Sequence, residues 1–263
     1  MNVEAYLERL NYRGPLEPNA ETLRALQVAH LRHVPFENLS IHAGEPIILE
    51  DNSLFKKIVE NKRGGFCYEA NGLFAALLRA LGFKVTLLAA GVAKRSEPVA
   101  PEDEEALSKI QFGPVFDHMC LMVELEDRWL ADVGFGDSFV EPLLLDSTDE
   151  QVQGNGSYKI VSFDDARILM RRKSGENWNA EYRFDLQPHV YADYEEMCRF
   201  HQTSPESHFT RGRICSLATD DGRVTLSDMR LITTRGQLRD ERLLADQDEY
   251  NRMLRDTFGI VMK

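Results

Sequence analysis

The sequence has few cysteines, no long apolar run and no C-x-x-C pair. Four cysteines among 263 residues exclude a disulfide scaffold and indicate reduced thiols. No window reaches the roughly 18 to 20 consecutive apolar residues of a membrane-spanning helix, and the acidic start of the chain does not resemble a signal peptide. We therefore expect a cytoplasmic protein without a membrane partner.

Positive charge is also scarce. The chain carries 31 Lys and Arg against 43 Asp and Glu, a net charge of −12, and such a surface repels the phosphate backbone of nucleic acids. The motifs G-x-x-x-x-G-K-[ST], G-x-G-x-x-G, H-E-x-x-H and G-x-S-x-G are absent from the sequence. We therefore expect no nucleic-acid partner and no P-loop, dinucleotide-binding, zincin or α/β-hydrolase chemistry.

The composition is that of an ordinary globular protein, 43% hydrophobic and 28% charged. The spacing of the apolar residues changes along the chain. Residues 1–83 show helical spacing, with Asp51 or Asn52 as a predicted helix cap and Gly82 as a predicted helix end. Residues 84–190 read as short strands of an antiparallel sheet or small barrel, and residues 191–263 mix helix and strand. The pattern predicts an α+β fold. It also indicates domain boundaries near 83 and 190, which rest on the change of period alone.

One segment of the middle part breaks the strand pattern. Residues 94–114 contain three prolines and the acidic run Glu102 to Glu105. Prolines and a block of like charges are typical of solvent-exposed connections. We expect a mobile surface loop here.

Cys67 has the most informative surroundings, in KRGGFCYEANGLF (62–74). Two glycines allow a tight backbone approach before a predicted helix, and the cysteine falls on the first helical turn. Unpaired N–H groups and the helix dipole there favour thiolate and can hold an oxyanion. A small buried hydrophobic side chain is the other reading of a free cysteine, and position alone leaves both open.

A nucleophilic cysteine needs a base and a group that orients the base. His118 and Asp132 stand fourteen residues apart on two strands of a predicted hairpin. A loop of odd length puts both side chains on one face, although the register is open. Asp132 lies among apolar neighbours, where a carboxylate is costly unless paired. Cys67, His118 and Asp132 thus follow the order of papain-like enzymes, although a structural role is common for any one of them.

Four segments carry a family resemblance in combination. They are HVPFENLSI (33–41), RGGFCYEAN (63–71), FDHMCLMV (116–123) and WLADVGFG (129–136), with a further similar segment from Thr203 to Phe209. Spaced as they are, they resemble an arylamine N-acetyltransferase over most of the chain.

The resemblance implies a fold and a reaction. The fold would be an N-terminal helical bundle (1–83), a central antiparallel β-barrel (84–190) and a C-terminal α/β lid (191–263). The reaction would be two-step acetyl transfer from the co-substrate acetyl-CoA to an aromatic amine or hydrazine. Cys67 would be the nucleophile, His118 the base and Asp132 its orienting group, and no metal would take part.

Pocket residues follow from the same resemblance. Phe36 and Val92 match positions that line the acceptor pocket, and Gly134, Phe135 and Gly136 match a loop beside the pantetheine arm of coenzyme A. Phe66 and Phe135 are further candidates for aromatic walls. The segment from Val92 to His118 is longer than in many bacterial members, and its acidic residues would lie where an anionic coenzyme approaches. An anionic coenzyme would therefore need a basic entrance, for which the candidates are Arg63, Arg171 to Lys173 and Arg211 to Arg213.

Three alternatives remain at this stage. A papain-like cysteine hydrolase would use the same three residues in an open groove, and an amide synthase would close a macrocycle on a tethered substrate. Cys198, His201, His208 and Cys215 are zinc-ligand types, but their spacing is not a standard ligand pattern and no metal is expected.

Overall fold

The computed structural model describes residues 1–94 and 97–262, and residues 1–83 are mainly helical, as the period predicts. The helices are α1 (Val3–Arg9), α2 (Ala20–His33), α3 (Leu39–Ala43), α4 (Asp51–Phe55), α5 (Cys67–Ala80), α6 (Glu104–Ser108), α7 (Tyr191–Thr203), α8 (His208–Arg211) and α9 (Gln247–Phe258), with a π-helical turn at Lys56–Glu60. The strands are β1 (Phe36–Glu37), β2 (Lys84–Val92), β3 (His118–Glu124), β4 (Arg128–Ala131), β5 (Leu143–Leu144), β6 (Gln151–Gln153), β7 (Gly156–Phe163), β8 (Ala166–Arg172), β9 (Asn179–Phe184), β10 (Ile214–Ala218), β11 (Gly222–Ser227), β12 (Arg230–Arg235) and β13 (Leu238–Leu243).

Helix α5 is the central element of the N-terminal part. It is buried along most of its length and packs against α1, α4, α7 and the strands β2 and β3. Gly82, with φ of +94°, follows it in the left-handed region that glycine adopts without strain. The helix α4 begins at Asp51 with Glu50 as its N-cap and no side-chain cap bond, so the predicted cap at Asp51 or Asn52 is wrong. None of the described helices has the length and apolar character to cross a membrane.

The middle of the chain forms one eight-stranded antiparallel sheet. Its strand order is β5-β4-β3-β2-β9-β8-β7-β6, and it curls into a nearly closed barrel. The seam between β5 and β6 is bridged by a side chain, since Gln151 accepts from Leu144 N at 2.8 Å and donates to Leu144 O at 3.0 Å. The α+β fold with a central antiparallel barrel is therefore confirmed.

The second sheet joins distant parts of the sequence. Its order is β1-β10-β11-β12-β13, and Phe36 of β1 pairs with Ser216 of β10. The first strand thus comes from the N-terminal part, while the other strands come from the C-terminal part. The boundaries at 83 and 190 remain predictions.

Residues 97–114 are more regularly folded than the mobile loop predicted for 94–114. This stretch contains α6, and its side chains Val99, Leu107 and Ile110 pack with Ile168 of β8. Burial of these apolar side chains against the barrel explains why the segment is not a free loop. Arg95 and Ser96 lie outside the described residues.

A buried ionic cluster fixes the turn before α5. Glu37 has no solvent exposure, and its Oε1 accepts from Arg63 at 2.8 Å while its Oε2 accepts from Leu39 N at 2.6 Å. Burial alone would raise the pKa of Glu37, but the cations of Lys57 and Arg63 outweigh it and hold that pKa below the ordinary value. A Cβ on Gly64 would collide with the carbonyl oxygen of Pro35, so the two chain segments run in direct contact.

Arg63→Met should lower the free energy of unfolding by about 3 kcal/mol or more, because it leaves a buried carboxylate without its main partner. Arg24→Met is the matched control, since Arg24 pairs with Glu141 at 3.1 Å on the surface, with side-chain exposures of 52% and 46%. Its expected cost is about 0–1 kcal/mol. Urea unfolding of both variants measures the difference, and equal costs would contradict the role given to the buried cluster.

Candidate active site

A cavity of about 370 Å³ opens where the start of α5, the barrel and residues 208–214 meet. Its apolar lining includes Phe36, Val92, Phe135, Phe209 and Ile214. This volume and lining are typical of a site for a small, mostly apolar molecule.

The same cavity is bordered by groups that carry chemistry. Cys67, Asp117, His118, His208 and Arg213 all line it. The structure thus brings the predicted nucleophile and the predicted base to one cavity.

Cys67 is the first residue of α5 and is only 3% exposed. Burial raises the pKa of its thiol well above the ordinary value; a backbone hydrogen bond from Met119 opposes this, while Cys198 and the carboxylates of Asp132 and Asp117 add to it. Burial thus outweighs the effect of the helix start, which by itself would lower the pKa of the thiol. A thiol in this environment needs a base to take its proton.

His118 and Asp132 form a direct, buried contact. The β3–β4 hairpin pairs Leu121 with Ala131 and turns through a three-residue loop, so the odd loop length leaves both side chains on one face. His118 Nε2 lies 2.7 Å from Asp132 Oδ2, and the two residues are 2% and 3% exposed. Because a carboxylate only accepts, Nε2 donates and Nδ1 is left as the acceptor.

Asp132 also holds other parts of the site together. Its Oδ1 accepts from Asn71 Nδ2 and from Gly134 N, each at 2.8 Å, and its own N–H donates to Gln27 Oε1 at 3.1 Å. Sequence reasoning did not assign Asn71 to the site, although its position four residues after Cys67 puts both on one face of α5. Sequence reasoning did not assign Gln27 to the site either. The available signal was that Gln27 is a polar residue on the apolar face of α2.

The loop after β4 touches the helix that begins at Cys67. A Cβ on Gly134 would lie 2.7 Å from Cys67 Cα and 2.7 Å from Asn71 Nδ2, so only glycine fits. The Phe135 ring stands 5.2 Å from the His118 ring, nearly perpendicular to it. Gly136 has φ of +98° and faces Phe36. The predicted coenzyme loop therefore borders the cavity, and its role stays a prediction.

The predicted wall residues divide into two groups. Phe36, Val92 and Phe135 line the cavity, whereas Phe66 is fully buried and packs edge-on against Tyr68 and Phe209. Phe66 is thus a core residue, and Phe209 lines the cavity instead.

The basic residues predicted to form an entrance for the coenzyme lie in different environments. Arg63 is tied to Glu37, and Arg171, 7% exposed, lies 3.3 Å from Asp137 and 3.5 Å from Glu181. Arg213 lines the cavity, and its guanidinium lies 4.1 Å from the ring centre of Tyr250. Of the three predicted groups, only the one containing Arg213 reaches the cavity lining.

The zinc alternative finds no support in the geometry. Within residues 1–94 and 97–262, no three or more His, Cys, Asp or Glu side chains are arranged to hold a metal ion. Instead, His201 contacts Ser207 and Asp117, and Cys198 Sγ accepts from Gln202 at 3.4 Å.

Comparisons with known proteins bear on this site. A family model described as N-acetyltransferase matches residues 19–263. The chicken (Gallus gallus) arylamine N-acetyltransferase, pineal gland isozyme NAT-10, is 33% identical over 100% of this chain and 95% of its own length. The chain belongs to the arylamine N-acetyltransferase family. It is an acyltransferase with the fold of that family.

Further members of the family are similar over nearly the whole chain. Proansamycin X synthase of Amycolatopsis mediterranei is 30% identical over 96% of this chain and 95% of its own length. The structure of the Mycobacterium marinum arylamine N-acetyltransferase in complex with CoA has a TM-score of 0.87 and 31% identity, and the match covers 98% of this chain and 93% of that one.

Gly134→Ala should misplace the start of α5 relative to Asp132, because the added methyl group meets Cys67 Cα. The expected cost in unfolding free energy is about 1–3 kcal/mol, and a shift near 1 Å at the site lowers kcat by about a hundredfold. Gly154→Ala is the control, since Gly154 has open space and no positive φ. Acetyl-transfer rates and thermal melts measure both effects, and a fully active Gly134→Ala enzyme would refute the need for this contact.

Proposed function

We propose that this chain transfers an acetyl group from acetyl-CoA to the nitrogen of an aromatic amine or hydrazine through acetyl-Cys67. The observation that carries the proposal is that Cys67 and the imidazole of the His118–Asp132 pair border one apolar cavity. The family membership supports the same reaction class.

The first step loads the enzyme. His118 Nδ1 takes the thiol proton of Cys67, and the thiolate attacks the thioester carbonyl of acetyl-CoA. A new C–S bond to Cys67 forms, the C–S bond to the coenzyme breaks, and the coenzyme sulfur leaves with the proton from His118. Asp132 keeps the ring oriented and stabilises its charged form. Free N–H groups of the first turn of α5 are suited to hold the oxyanion.

The second step transfers the acetyl group from Cys67 to the amine. An amine of low basicity is present as the free base at neutral pH and attacks the acetyl carbonyl. The apolar walls formed by Phe36, Phe135 and Phe209 suit a planar ring and exclude water that would hydrolyse the intermediate.

The coenzyme is the second part of the proposal. The Mycobacterium marinum relative has a structure in complex with CoA, and Arg213 supplies a cation at the cavity of an acidic protein. We expect this guanidinium to attract the anionic coenzyme and the loop from Gly134 to Gly136 to pass beside its pantetheine arm.

Two other reactions use the same residues. A cysteine hydrolase needs a groove open to a peptide, which an apolar cavity of about 370 Å³ does not provide. The similarity to proansamycin X synthase is the argument for an amide synthase. Such an enzyme has to hold both ends of one long substrate, whereas this volume fits one aromatic ring and an acetyl group. Formation of an acetyl-enzyme from acetyl-CoA, tested below, would favour the acetyltransferase.

Incubation with acetyl-CoA should add one acetyl group to the protein, because Cys67 is the thiol that borders the cavity beside His118. Intact-mass measurement detects the adduct. Cys67→Ala should abolish it, and the control Cys215→Ala, which removes another buried thiol in β10, should keep it. No adduct on the wild-type protein, or one that survives Cys67→Ala, would refute the proposal.

Arg213→Gln should raise KM for acetyl-CoA by about tenfold, the effect of losing one charge-assisted contact to a phosphate. Acylation by the uncharged donor p-nitrophenyl acetate should be unchanged. Arg211→Gln is the matched control, since Arg211 is exposed and does not line the cavity. If the Arg213→Gln enzyme lost rate with both donors alike, Arg213 would be a structural residue and not a coenzyme contact.

A further inference from the structure

A second histidine–carboxylate pair borders the same cavity. Asp117 Oδ1 lies 3.1 Å from His201 Nε2, and His201 is only 2% exposed in the last turns of α7. The other ring nitrogen, Nδ1, lies 3.0 Å from Ser207 Oγ. Ser207 thus holds one side of the His201 ring, and the other nitrogen, which makes no hydrogen bond in this structure, lies within ion-pair distance of the Asp117 carboxylate.

The two pairs are arranged in opposite order. In the first pair His118 lines the cavity and Asp132 lies behind it, whereas in the second pair Asp117 lines the cavity and His201 lies behind it. The cavity beside Cys67 is therefore bordered by an imidazole from one pair and by a carboxylate from the other. The Asp117 side chain keeps 18% exposure, so the pairing with His201 leaves part of the carboxylate accessible.

The backbone before Asp117 adopts an unusual conformation. Phe116 has φ of +71°, in the left-handed region that side-chain-bearing residues rarely adopt. Its carbonyl accepts a hydrogen bond from Tyr68 Oη at 2.6 Å, which holds the turn in place. Gly113 leaves room for the carboxylate, because a Cβ there would collide with Asp117 Oδ2. Several contacts thus keep Asp117 at the cavity.

A carboxylate at this position works against the first step of the reaction. Burial raises the pKa of Cys67, and the negative charges of Asp132 and Asp117 raise it further. Asp132 is required by His118, but Asp117 has no such role in the loading step. Asp117 nevertheless borders the cavity with a partly accessible carboxylate, so it can act in the step that follows acetylation, when Cys67 carries no charge.

We propose that Asp117 binds the attacking amino group and makes the enzyme selective for acceptors with an –NH₂ group. His201 is a positioning residue that holds the carboxylate. The inference rests on the proposed function and deepens it by naming the group that recognises the acceptor nitrogen.

The proposed geometry uses both hydrogens of the amine. One N–H donates to Asp117 and the other to His118 Nδ1, which directs the nitrogen lone pair at the carbonyl carbon of acetyl-Cys67. The C–N bond forms and the C–S bond breaks with its electron pair on sulfur. The second proton moves to His118 and then to the Cys67 thiolate, which restores the resting thiol. An alcohol or phenol has only one such hydrogen and cannot satisfy both acceptors.

The test separates the two half-reactions. Asp117→Asn enzyme is acetylated with acetyl-CoA, freed of excess donor, and mixed either with an aniline or with free CoA, and loss of the acetyl group is followed by intact mass. Transfer back to CoA uses a sulfur nucleophile without an N–H group. Asp127→Asn, in the exposed β3–β4 turn, is the matched control.

Transfer to the aniline should fall by about tenfold to a hundredfold, the range for a hydrogen bond to a charged group, while transfer to CoA is unchanged. Asp117→Glu keeps the charge and should retain more amine transfer than Asp117→Asn. His201→Ala should slow amine transfer selectively, and His201→Gln, whose amide places an N–H donor near the carboxylate, should restore part of it.

The outcomes distinguish the inference from the function on which it rests. Equal loss of transfer to aniline and to CoA, or an unchanged aniline rate in Asp117→Asn, would overturn the role of Asp117 and leave acetyl transfer intact. If Asp117→Asn does not fold, equal losses in Asp117→Glu or in both His201 variants overturn it in the same way. Failure of the wild-type protein to form acetyl-Cys67 would overturn the proposed function and the inference together.

Discussion

The buried carboxylate of Asp132 determines how the site is assembled. Without water, its oxygens must find donors within the protein, because an unpaired buried charge is very costly. The donors come from α5 through Asn71, from β3 through His118 and from the loop after β4 through Gly134 N. Since α5 also begins at Cys67, one carboxylate fixes the helix that begins at Cys67 relative to the strand that carries His118.

Much of this arrangement could be predicted from the fourteen-residue spacing of His118 and Asp132 and from a hairpin loop with an odd number of residues. An odd hairpin loop is sufficient to put His118 and Asp132 on one face, but the register depends on where the turn closes, which the polar residues of the turn do not specify. Strands β1 and β13 could not be predicted. The two residues of β1 are too few to show a period, and the charged sequence LRDERL of β13 becomes a strand only through its pairing with β12.

The reactivity of Cys67 shows a different limit of sequence reasoning. A helix start lowers the pKa of a thiol through local dipoles, and this effect can be inferred from the sequence. Burial acts in the opposite direction, and it depends on walls contributed by residues as distant as Phe36 and Phe209. An apolar cavity makes thiolate formation harder but protects a thioester from water. In such a site the helix dipole alone does not offset burial, which is why the proposed reaction assigns the thiol proton to His118.

The distribution of cations follows from the same requirement for partners. In a chain of net charge −12, most basic side chains can find a carboxylate, and the buried ones must. Arg63 and Arg171 looked available in the sequence, yet their guanidinium groups are taken by Glu37 and by Asp137 with Glu181. Arg213 packs over the Tyr250 ring instead, which orients a guanidinium without neutralising it. A cation held by an aromatic ring can still attract an anion, and we propose that it draws the anionic coenzyme to the cavity despite the acidic surface.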